Sequence, residues 1–283
     1  GGGGVIIGTD YTFKRGTYTI EVGNGGMGAP KAGSGSYPEF QGLSSHKYRY
    51  RALKGVNSSI YNGEVNFVAQ GGGYGASSRS DAPPDGGLGG NGGCGGGVSG
   101  YMSSGYTRSG EAIHGDDFNN QITNGQKTLE SGVIVYGWRG GDSSANHYSG
   151  GGGGAGSIGT SSTSAAHGGN GIQCDIMGTN YYWAGGGGGA GYSIGGGNGG
   201  LGGGGGAAVG TTTGGTGGIN DGLPGGGGAT LTATNTPGGN AGQHTGGGGG
   251  GGSFYTANNN GGNGGSGIIV IKLKAISNSF SST

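Results

Sequence analysis

The residues that could carry chemistry in this chain are few and scattered. Its five histidines stand singly among Ser, Gly and Asn, and no two of them have the His-x-x-x-His spacing of a zinc site. The acidic group His114-Gly115-Asp116-Asp117 could hold a cation, but a solvated loop is favoured there. Glycine runs imitate a GxGxxG motif without the strand and helix that a dinucleotide site needs. We therefore expect no catalytic residue, metal site or cofactor, and no enzyme.

The two cysteines, Cys94 and Cys174, are too few for a four-ligand zinc site and too far apart for a CxxC redox motif. Two alternatives stay open for them. One is a single disulfide formed in an oxidising compartment, and the other is a pair of small buried thiols.

The aromatic residues are better candidates for recognition, because Tyr and Trp stack on sugars and other rings while keeping a polar group. The chain has 15 Tyr and 2 Trp, and many of them lie between glycine runs. The predicted ligand surface is formed by the loops 101–118, 142–148 and 178–183. The predicted ligand-binding residues are Tyr101, Tyr106, Trp138, Tyr148, Tyr181, Tyr182 and Trp183. For Tyr182 and Trp183, capping of the glycine runs is an equally weighted alternative.

The elements that would position these residues are dominated by glycine, which makes up 89 of the 283 residues. Leu, Ile, Val and Phe are too few for a fold of Leu-rich helices. The 13 Lys and Arg balance the 13 Asp and Glu, so no basic field attracts nucleic acid or an anionic membrane. No apolar run approaches the length of a transmembrane helix. We expect neither nucleic acid binding nor membrane insertion.

Charge and glycine content divide the chain. Between residues 143 and 271 only Asp175 and Asp221 are charged. The predicted parts are a β-rich N-terminal part (1–85), a Gly-rich rod with a polar loop insertion (86–142), a glycine bundle (143–267), a C-terminal strand (268–276) and a tail (277–283).

Several strands are predicted from β-branched and aromatic runs. One covers Thr17–Val22, and two more, Ser59–Tyr61 and Glu64–Ala69, would form a hairpin through a type I′ turn at Asn62-Gly63. A turn at Asn124-Gly125 would let the run 128–136 pair back. The apolar run 267–273 predicts a buried strand.

A triplet repeat sets the fold class. Residues 86–97 and 196–207 both read as four Gly-Gly-X triplets. Period three is that of a left-handed extended helix with about 3.1 Å rise per residue, in which the backbone hydrogen bonds must go to neighbouring chains. We predict a mainly β chain plus polyglycine II: N- and C-terminal strands packed with a bundle of such rods, and almost no α-helix. Flexible linkers are the alternative.

Three segments, 16–26, 182–192 and 261–271, resemble the glycine-rich surface proteins of tailed phages and aquatic viruses, whose informative relatives are tail-fibre adhesins with polyglycine II bundles. The resemblance implies a rigid sandwich whose loops, at one end, bind receptors on a host surface. Such proteins usually begin with an apolar strand that is absent before Gly1. A neighbouring subunit could fill this gap by strand addition. The sequence also shows no signal peptide and no initiator Met, so we expect that a leader has been removed or that the true start lies upstream.

The leading expectation is a non-enzymatic structural and adhesive protein, extracellular or on a virion surface, that attaches to a host receptor or glycan. The alternative is a self-assembling filament subunit whose partners are identical subunits, and a homo-oligomer is expected. Ice binding is third, because period-three bundles have flat faces, although the third residue of the triplets varies here.

Overall fold

A computed structural model of the chain contains eight short β-strands in three antiparallel sheets. It describes residues 1–29, 52–76, 89–98, 109–114, 121–143, 148–161, 165–191, 195–209, 211–225, 237–252 and 260–274. Within these ranges there is no α-helix, and only Thr123–Gly125 forms a 3₁₀ turn. The prediction of a mainly β chain with almost no α-helix is confirmed for this part of the chain.

The first sheet has the order β1-β6-β5, formed by Val5–Gly8 (β1), Gln126–Glu130 (β5) and Val133–Tyr136 (β6). Strand β1 was not predicted from the sequence, although Val5-Ile6-Ile7 is a β-branched run. The run 128–136 does not pair back as one strand, because Gly132, with φ of +77°, turns the chain within it. Strands β5 and β6 therefore pair with each other.

The second sheet has the order β2-β3-β4, formed by Thr19–Glu21 (β2), Ser58–Tyr61 (β3) and Asn66–Ala69 (β4). The predicted hairpin is confirmed, but its turn is not type I′. That turn needs positive φ at both central residues, and only Gly63 has it. Instead the Asn62 side-chain oxygen accepts hydrogen bonds from the backbone of Glu64 (3.0 Å) and Val65 (2.7 Å), which makes a four-residue loop.

The third sheet is a hairpin of Ile172–Cys174 (β7) and Tyr181–Trp183 (β8). Two small clusters of buried apolar side chains lie near the sheets. The first contains Cys94, Ala155 and Ala184, with Tyr136 and Ile172 packed against it. The second contains Ala112, Ile122 and Val135. These clusters are too small to be the main interior, and most of the other buried residues are glycines.

The predicted C-terminal strand 268–276 is not formed as far as Lys274, where the described residues end. Gly267 still donates to the Gly23 carbonyl (2.9 Å), but the backbone from Ile268 to Lys274 has no hydrogen bond to another described residue. The predicted burial is also wrong, since Ile271 is 45% exposed and Leu273 is 80% exposed. An ion pair between Lys274 and Asp10 joins this segment to the chain beyond β1.

Contacts cross the boundaries of the parts predicted from charge and glycine content. Strand β1, in the first predicted part, pairs with β6 in the second. The backbone of Gly2 donates to Gly153 (2.9 Å) and that of Gly3 donates to Gly246 (2.7 Å), both in the predicted glycine bundle. The tail 277–283 lies outside the described residues.

Candidate attachment surface

The Gly-rich segments between the hairpins are joined by hydrogen bonds that recur at every third residue. Segments 149–155 and 184–190 run antiparallel, and the N–H groups of Ser149, Gly152 and Ala155 donate to the carbonyls of Ala190, Gly187 and Ala184 at 3.0, 2.9 and 3.0 Å. Segments 261–267 and 23–29 repeat the pattern, with bonds from Gly261, Gly264 and Gly267. A β-ladder, with its period of two, does not space its bonds in this way.

Three parallel segments, 185–188, 202–208 and 248–251, form a closed circuit of such bonds. Each segment donates to the next and accepts from the previous one. The bonds are Gly188 to Gly205 (2.9 Å), Gly205 to Gly248 (2.9 Å), Gly248 to Gly185 (2.8 Å), Gly185 to Gly202 (3.0 Å), Ala208 to Gly251 (2.7 Å) and Gly251 to Gly188 (2.9 Å). The backbone groups of segments distant in sequence thus satisfy one another.

The segments approach so closely that many positions admit only glycine. A Cβ atom on Gly186 would overlap the carbonyl oxygen of Gly152, and one on Gly95 would overlap that of Gly110. These glycines have ordinary negative φ, so lack of space and not backbone conformation excludes a side chain. The glycines of the triplets form the interior.

Asparagines of the triplets have a role that the sequence reasoning did not assign. Asn170, Asn240 and Asn263 are exposed and Asn198 is half-buried, and the side-chain oxygen of each accepts a backbone N–H from a neighbouring segment. The donors are Leu201 (3.1 Å), Thr213 (3.0 Å), Asn263 (2.8 Å) and Gly28 (2.8 Å) respectively. The Gly-Gly-Asn phrase could have been the signal, because an Asn at every third position lies on one side of a three-residue helix. These asparagine side chains satisfy N–H groups at the surface formed by the described segments.

The bundle has two distinct ends. At one of them, the loop end, Ala76, Val98, Asp142, Ser149 and Ala190 come together. Hydrogen bonds join their segments there: Ala76 to Gly97 (3.2 Å), Val98 to Gly141 (3.3 Å), Gly150 to Val98 (2.9 Å) and Ser149 to Ala190 (3.0 Å). At the opposite end, the hairpin end, lie the β5–β6 and β7–β8 hairpins and the turns at Gly202, Gly217 and Gly246.

Three of the predicted ligand-binding residues lie in β8 at the hairpin end and contact the scaffold. Trp183 is only 6% exposed, and its indole N–H lies 3.5 Å from the Cys174 carbonyl. The Tyr181 ring packs edge-to-face on Trp183 with centroids 6.0 Å apart. The Tyr182 ring lies beside Gly217, where a Cβ would come within 3.2 Å of it. This arrangement matches the capping alternative.

The other predicted aromatic residues divide between the two ends. Trp138 is half-buried, and its indole fills the space where Gly125 would carry a side chain, next to the 3₁₀ turn. Tyr148 lies at the loop end, where its carbonyl accepts a hydrogen bond from the Ser143 hydroxyl (2.8 Å). Tyr101 and Tyr106 lie outside the described residues. Of the predicted loops, 142–148 and 178–183 therefore have their described residues at opposite ends.

The loop end is held by a polar group of side chains. Arg139 donates to Asp142 (2.9 Å) and to the Ser109 hydroxyl (3.1 Å), and the Ser109 backbone donates to Asp142 (3.2 Å). The Asp142 backbone in turn donates to the Ser161 hydroxyl (3.0 Å). Val98 and Ser109, the described residues on either side of Tyr101 and Tyr106 in the sequence, thus belong to this end.

Both cysteines are free, so the structure contains no disulfide between Cys94 and Cys174. Cys94 is fully buried and its thiol donates to the Gly3 carbonyl (3.1 Å). Burial raises the pKa of the Cys94 thiol to about 12. Cys174 is half-buried in β7.

The histidines in the described ranges do not gather into a site. His167 accepts a hydrogen bond from the Asn198 backbone (2.9 Å), and His244 lies 3.1 Å from the Ser266 hydroxyl. The buried Nδ1 atom of His114 has no hydrogen-bond partner among described residues. Burial, and then the Lys127 charge, lowers the pKa of His114. Asp116 and Asp117 lie outside the described ranges.

Within the described ranges, no three His, Cys, Asp or Glu side chains are grouped as metal ligands. The same ranges contain no helix with the length and apolarity needed to cross a membrane. Comparison of the chain with protein-family models, with curated proteins and with solved structures finds no match.

Proposed function

We propose that the chain is a non-enzymatic surface protein, extracellular or on a virion, in which a polyglycine II bundle is a rigid scaffold for attachment to a host receptor or glycan. The observation that carries the proposal is the recurrence of hydrogen bonds at every third residue between Gly-rich segments. The attachment surface is assigned to the loop end.

Polyglycine II accounts for the bonding pattern. In a helix with three residues per turn, N–H groups three residues apart point in the same direction, and successive ones point to different neighbours. Gly152 donates to the segment 184–190, whereas the next residue, Gly153, donates to Gly95 (2.9 Å). This change of partner from one residue to the next supports the left-handed three-residue helix.

The scaffold is rigid because its stability depends on many bonds made together. Ordering glycine costs more backbone entropy than ordering any other residue, so a single segment would not hold its conformation. Closed circuits such as that of Gly188, Gly205 and Gly248 give each segment partners on several sides. A rigid support lowers the entropy that surface loops lose on binding.

The loop end is chosen as the attachment surface because the Trp183 and Tyr182 side chains at the hairpin end pack against the bundle. Trp183 is buried, and Tyr182 packs on Gly217. At the loop end Arg139 and Asp142 offset each other's charge, the Ser109 hydroxyl accepts a hydrogen bond from Arg139, and Tyr148 is half-buried. An aromatic ring and hydroxyl groups beside a paired Arg139 and Asp142 suit a neutral sugar better than an ionic ligand.

Hydrogen exchange tests the scaffold. We expect slow exchange at Gly152, Ala155, Gly188 and Gly248, with a polyproline-II-like circular dichroism signal. Unprotected amides at all four residues would favour the flexible-linker alternative and contradict the scaffold.

Binding to an array of neutral and acidic glycans tests the attachment surface. Tyr148→Ala, and Tyr101→Ala with Tyr106→Ala, should weaken binding to a neutral glycan, while Tyr182→Ala at the hairpin end serves as the matched control. Loss of binding only in Tyr182→Ala would overturn the choice of the loop end. Absence of glycan binding by the unchanged protein would remove the glycan from the proposal.

A filament subunit is the second candidate, and one observation favours it. Strand β1 pairs only with β6, so its other edge has no strand partner among the described residues, and the exposed Ile271 and Leu273 lie on the nearby C-terminal segment. Open edges and exposed apolar side chains promote association with identical subunits. Negative-stain microscopy at high protein concentration distinguishes filaments from single particles.

A further inference from the structure

The apolar segment 268–274 is held at its start beside the second sheet. Gly267 donates to the Gly23 carbonyl (2.9 Å), and the chain before Gly267 runs antiparallel to the chain after Gly23. Strand β2 ends at Glu21, two residues before Gly23. An antiparallel neighbour that continues past Gly267 therefore runs along β2.

The segment approaches β2 on the side away from β3. The Asn24 carbonyl accepts a hydrogen bond from Val56 (2.9 Å), on the chain that leads into β3. The preceding carbonyl, that of Gly23, accepts its bond from Gly267 instead. Since β2 pairs only with β3 within the described residues, its outer edge is the one that the segment meets.

The far end of the segment is also held beside the second sheet. Lys274 forms an ion pair with Asp10. The residue after Asp10, Tyr11, packs its ring edge-to-face on Phe67 of β4, with centroids 5.1 Å apart. Both ends of the segment are thus tethered, whereas the backbone between them has no hydrogen bond to another described residue.

The side chains of the segment match the face of the sheet that they would join. Residues 268–271 are all β-branched, which favours a strand. Continuing the antiparallel register along β2 brings Val270 opposite Ile20, which is 49% exposed. Ile20 lies opposite Ile60, and Ile60 opposite Phe67, so these side chains share one face. Val270, Ile60 and Phe67 already line the same cavity.

We infer that 268–274 is a strap that closes onto the outer edge of β2 as a fourth antiparallel strand of the second sheet, with Val270 opposite Ile20. In the open arrangement of the structure, the outer edge of β2 and the run 268–273 have no strand partner among the described residues. Either one is then a template for a strand of a second copy, and closure removes both. The strap is therefore a switch on self-association.

Closure rests on the hydrogen bond and ion pair that tether the segment, and it is independent of the attachment surface. Only the effect on self-association depends on the filament candidate of the proposed function.

Paired cysteines test closure and its register. In a Cys174→Ser background, which leaves only the buried Cys94, Ile20→Cys with Val270→Cys places two thiols opposite each other. Ile20→Cys with Ile271→Cys is the matched control, because neighbouring residues of a strand point to opposite faces. In dilute protein under mild oxidation, we expect the first pair to form an intramolecular disulfide at least about tenfold faster than the second. Peptide mass spectrometry without reduction measures both rates.

Three outcomes of this experiment would overturn closure. Equal rates for the two pairs would show a loose segment without strand register. Disulfides formed only between molecules would show that the edge of β2 takes a second copy and not its own strap. Absence of any disulfide in the first pair would show that the segment does not reach β2.

Self-association tests the switch. The variant with Ile20→Cys and Val270→Cys is compared in its oxidised and reduced forms at high concentration by sedimentation and negative-stain microscopy. We expect oxidation to abolish the assembly that the reduced protein shows, while the pair with Ile271→Cys controls for oxidation itself. Equal assembly of both forms would overturn the switch and leave the filament candidate standing. Single particles in both forms would overturn the switch and the filament candidate together.

Discussion

Gly186 lies in the bundle without space for even one methyl group, because a Cβ there would overlap the Gly152 carbonyl oxygen. Gly186→Ala should lower the free energy of unfolding by about 1–3 kcal/mol, as overpacking does in other interiors. Gly75→Ala is the matched control, since its Cβ meets nothing within 4 Å. It should be neutral or raise stability by up to about 1 kcal/mol, because alanine restricts the unfolded chain. Denaturant unfolding measures both, and equal effects would contradict close packing of the segments.

Cys94 and Cys174 should differ sharply in reactivity. The thiolate is the reactive form of cysteine, and burial raises the pKa of Cys94 to about 12, so its thiol stays protonated and inaccessible in the native protein. Alkylation at pH 8 followed by mass spectrometry should modify Cys174, and should modify Cys94 only after denaturation. Cys174→Ser should then show no native labelling. Rapid native labelling of Cys94 would contradict its burial.

His114 should make stability depend on pH. Burial lowers its pKa in the folded state below the ordinary value of 6.5, so the unfolded chain binds the proton more readily. The free energy of unfolding should therefore be insensitive to this group above pH 6.5 and should fall as the pH is lowered through the folded-state pKa. Unfolding midpoints between pH 8 and 5 measure this. His114→Gln should flatten the profile, and an unchanged slope would show that other groups cause it.

The β3–β4 hairpin depends on one side chain, Asn62, whose oxygen accepts two backbone hydrogen bonds in the loop. Asn62→Ala should lower the free energy of unfolding by about 1–2 kcal/mol, because both N–H groups lose their acceptor. Asn62→Asp keeps the acceptor and should restore most of the loss. Glu64→Ala removes only an exposed ion pair with Lys14 and should change stability little. If Asn62→Ala were as mild, the loop bonds would not stabilise the hairpin.

The strands that could be predicted were those whose pattern is local. Thr19–Glu21 and the β3–β4 hairpin follow from β-branched residues and a nearby turn signal. Strand β1 and the state of the C-terminal segment depend on distant partners. Val5–Gly8 pairs with residues more than a hundred positions away, and the apolar run 267–273 has no strand beside it among the described residues. Apolar sequence alone therefore does not show whether a segment pairs as a strand, as Val5–Gly8 does, or has no strand partner among the described residues, as 267–273 does.

The location of the candidate site was also hard to predict, because it depends on contacts between segments that are distant in sequence. Aromatic type and position between glycine runs singled out Tyr148 and Trp183, but could not tell that they lie at opposite ends of the bundle. Which end of the bundle Tyr148 and Trp183 occupy depends on the path that the chain takes through the bundle between these two residues. That path is set by contacts such as Gly152 with Gly187, which involve no side chain and so leave no mark in the sequence except glycine itself.

The stability of the whole bundle should depend on whether the length of an insertion in a Gly-rich segment is a multiple of three residues. In the proposed polyglycine II conformation, an added Gly-Gly-Asn between Asn198 and Gly199 would move the following residues by one helical turn and keep each N–H pointing at its former neighbour. An added Gly-Gly rotates every later N–H toward a different neighbour. The triplet insertion should therefore cost less stability than the shorter doublet, as measured by denaturant unfolding. The reverse order would contradict the three-residue register.

The spacing of hydrogen bonds in rows such as Ser149, Gly152 and Ala155 has an evolutionary consequence. Related chains that keep this interior should differ in segment length by multiples of three residues, that is, by whole Gly-Gly-X units. Insertions and deletions of other lengths should be confined to the connecting loops. A Cβ at many of these glycines would overlap a neighbouring backbone, whereas the proposed polyglycine II conformation should tolerate lengthening by one turn. A lineage could therefore change the height of its scaffold while its recognition loops diverge independently.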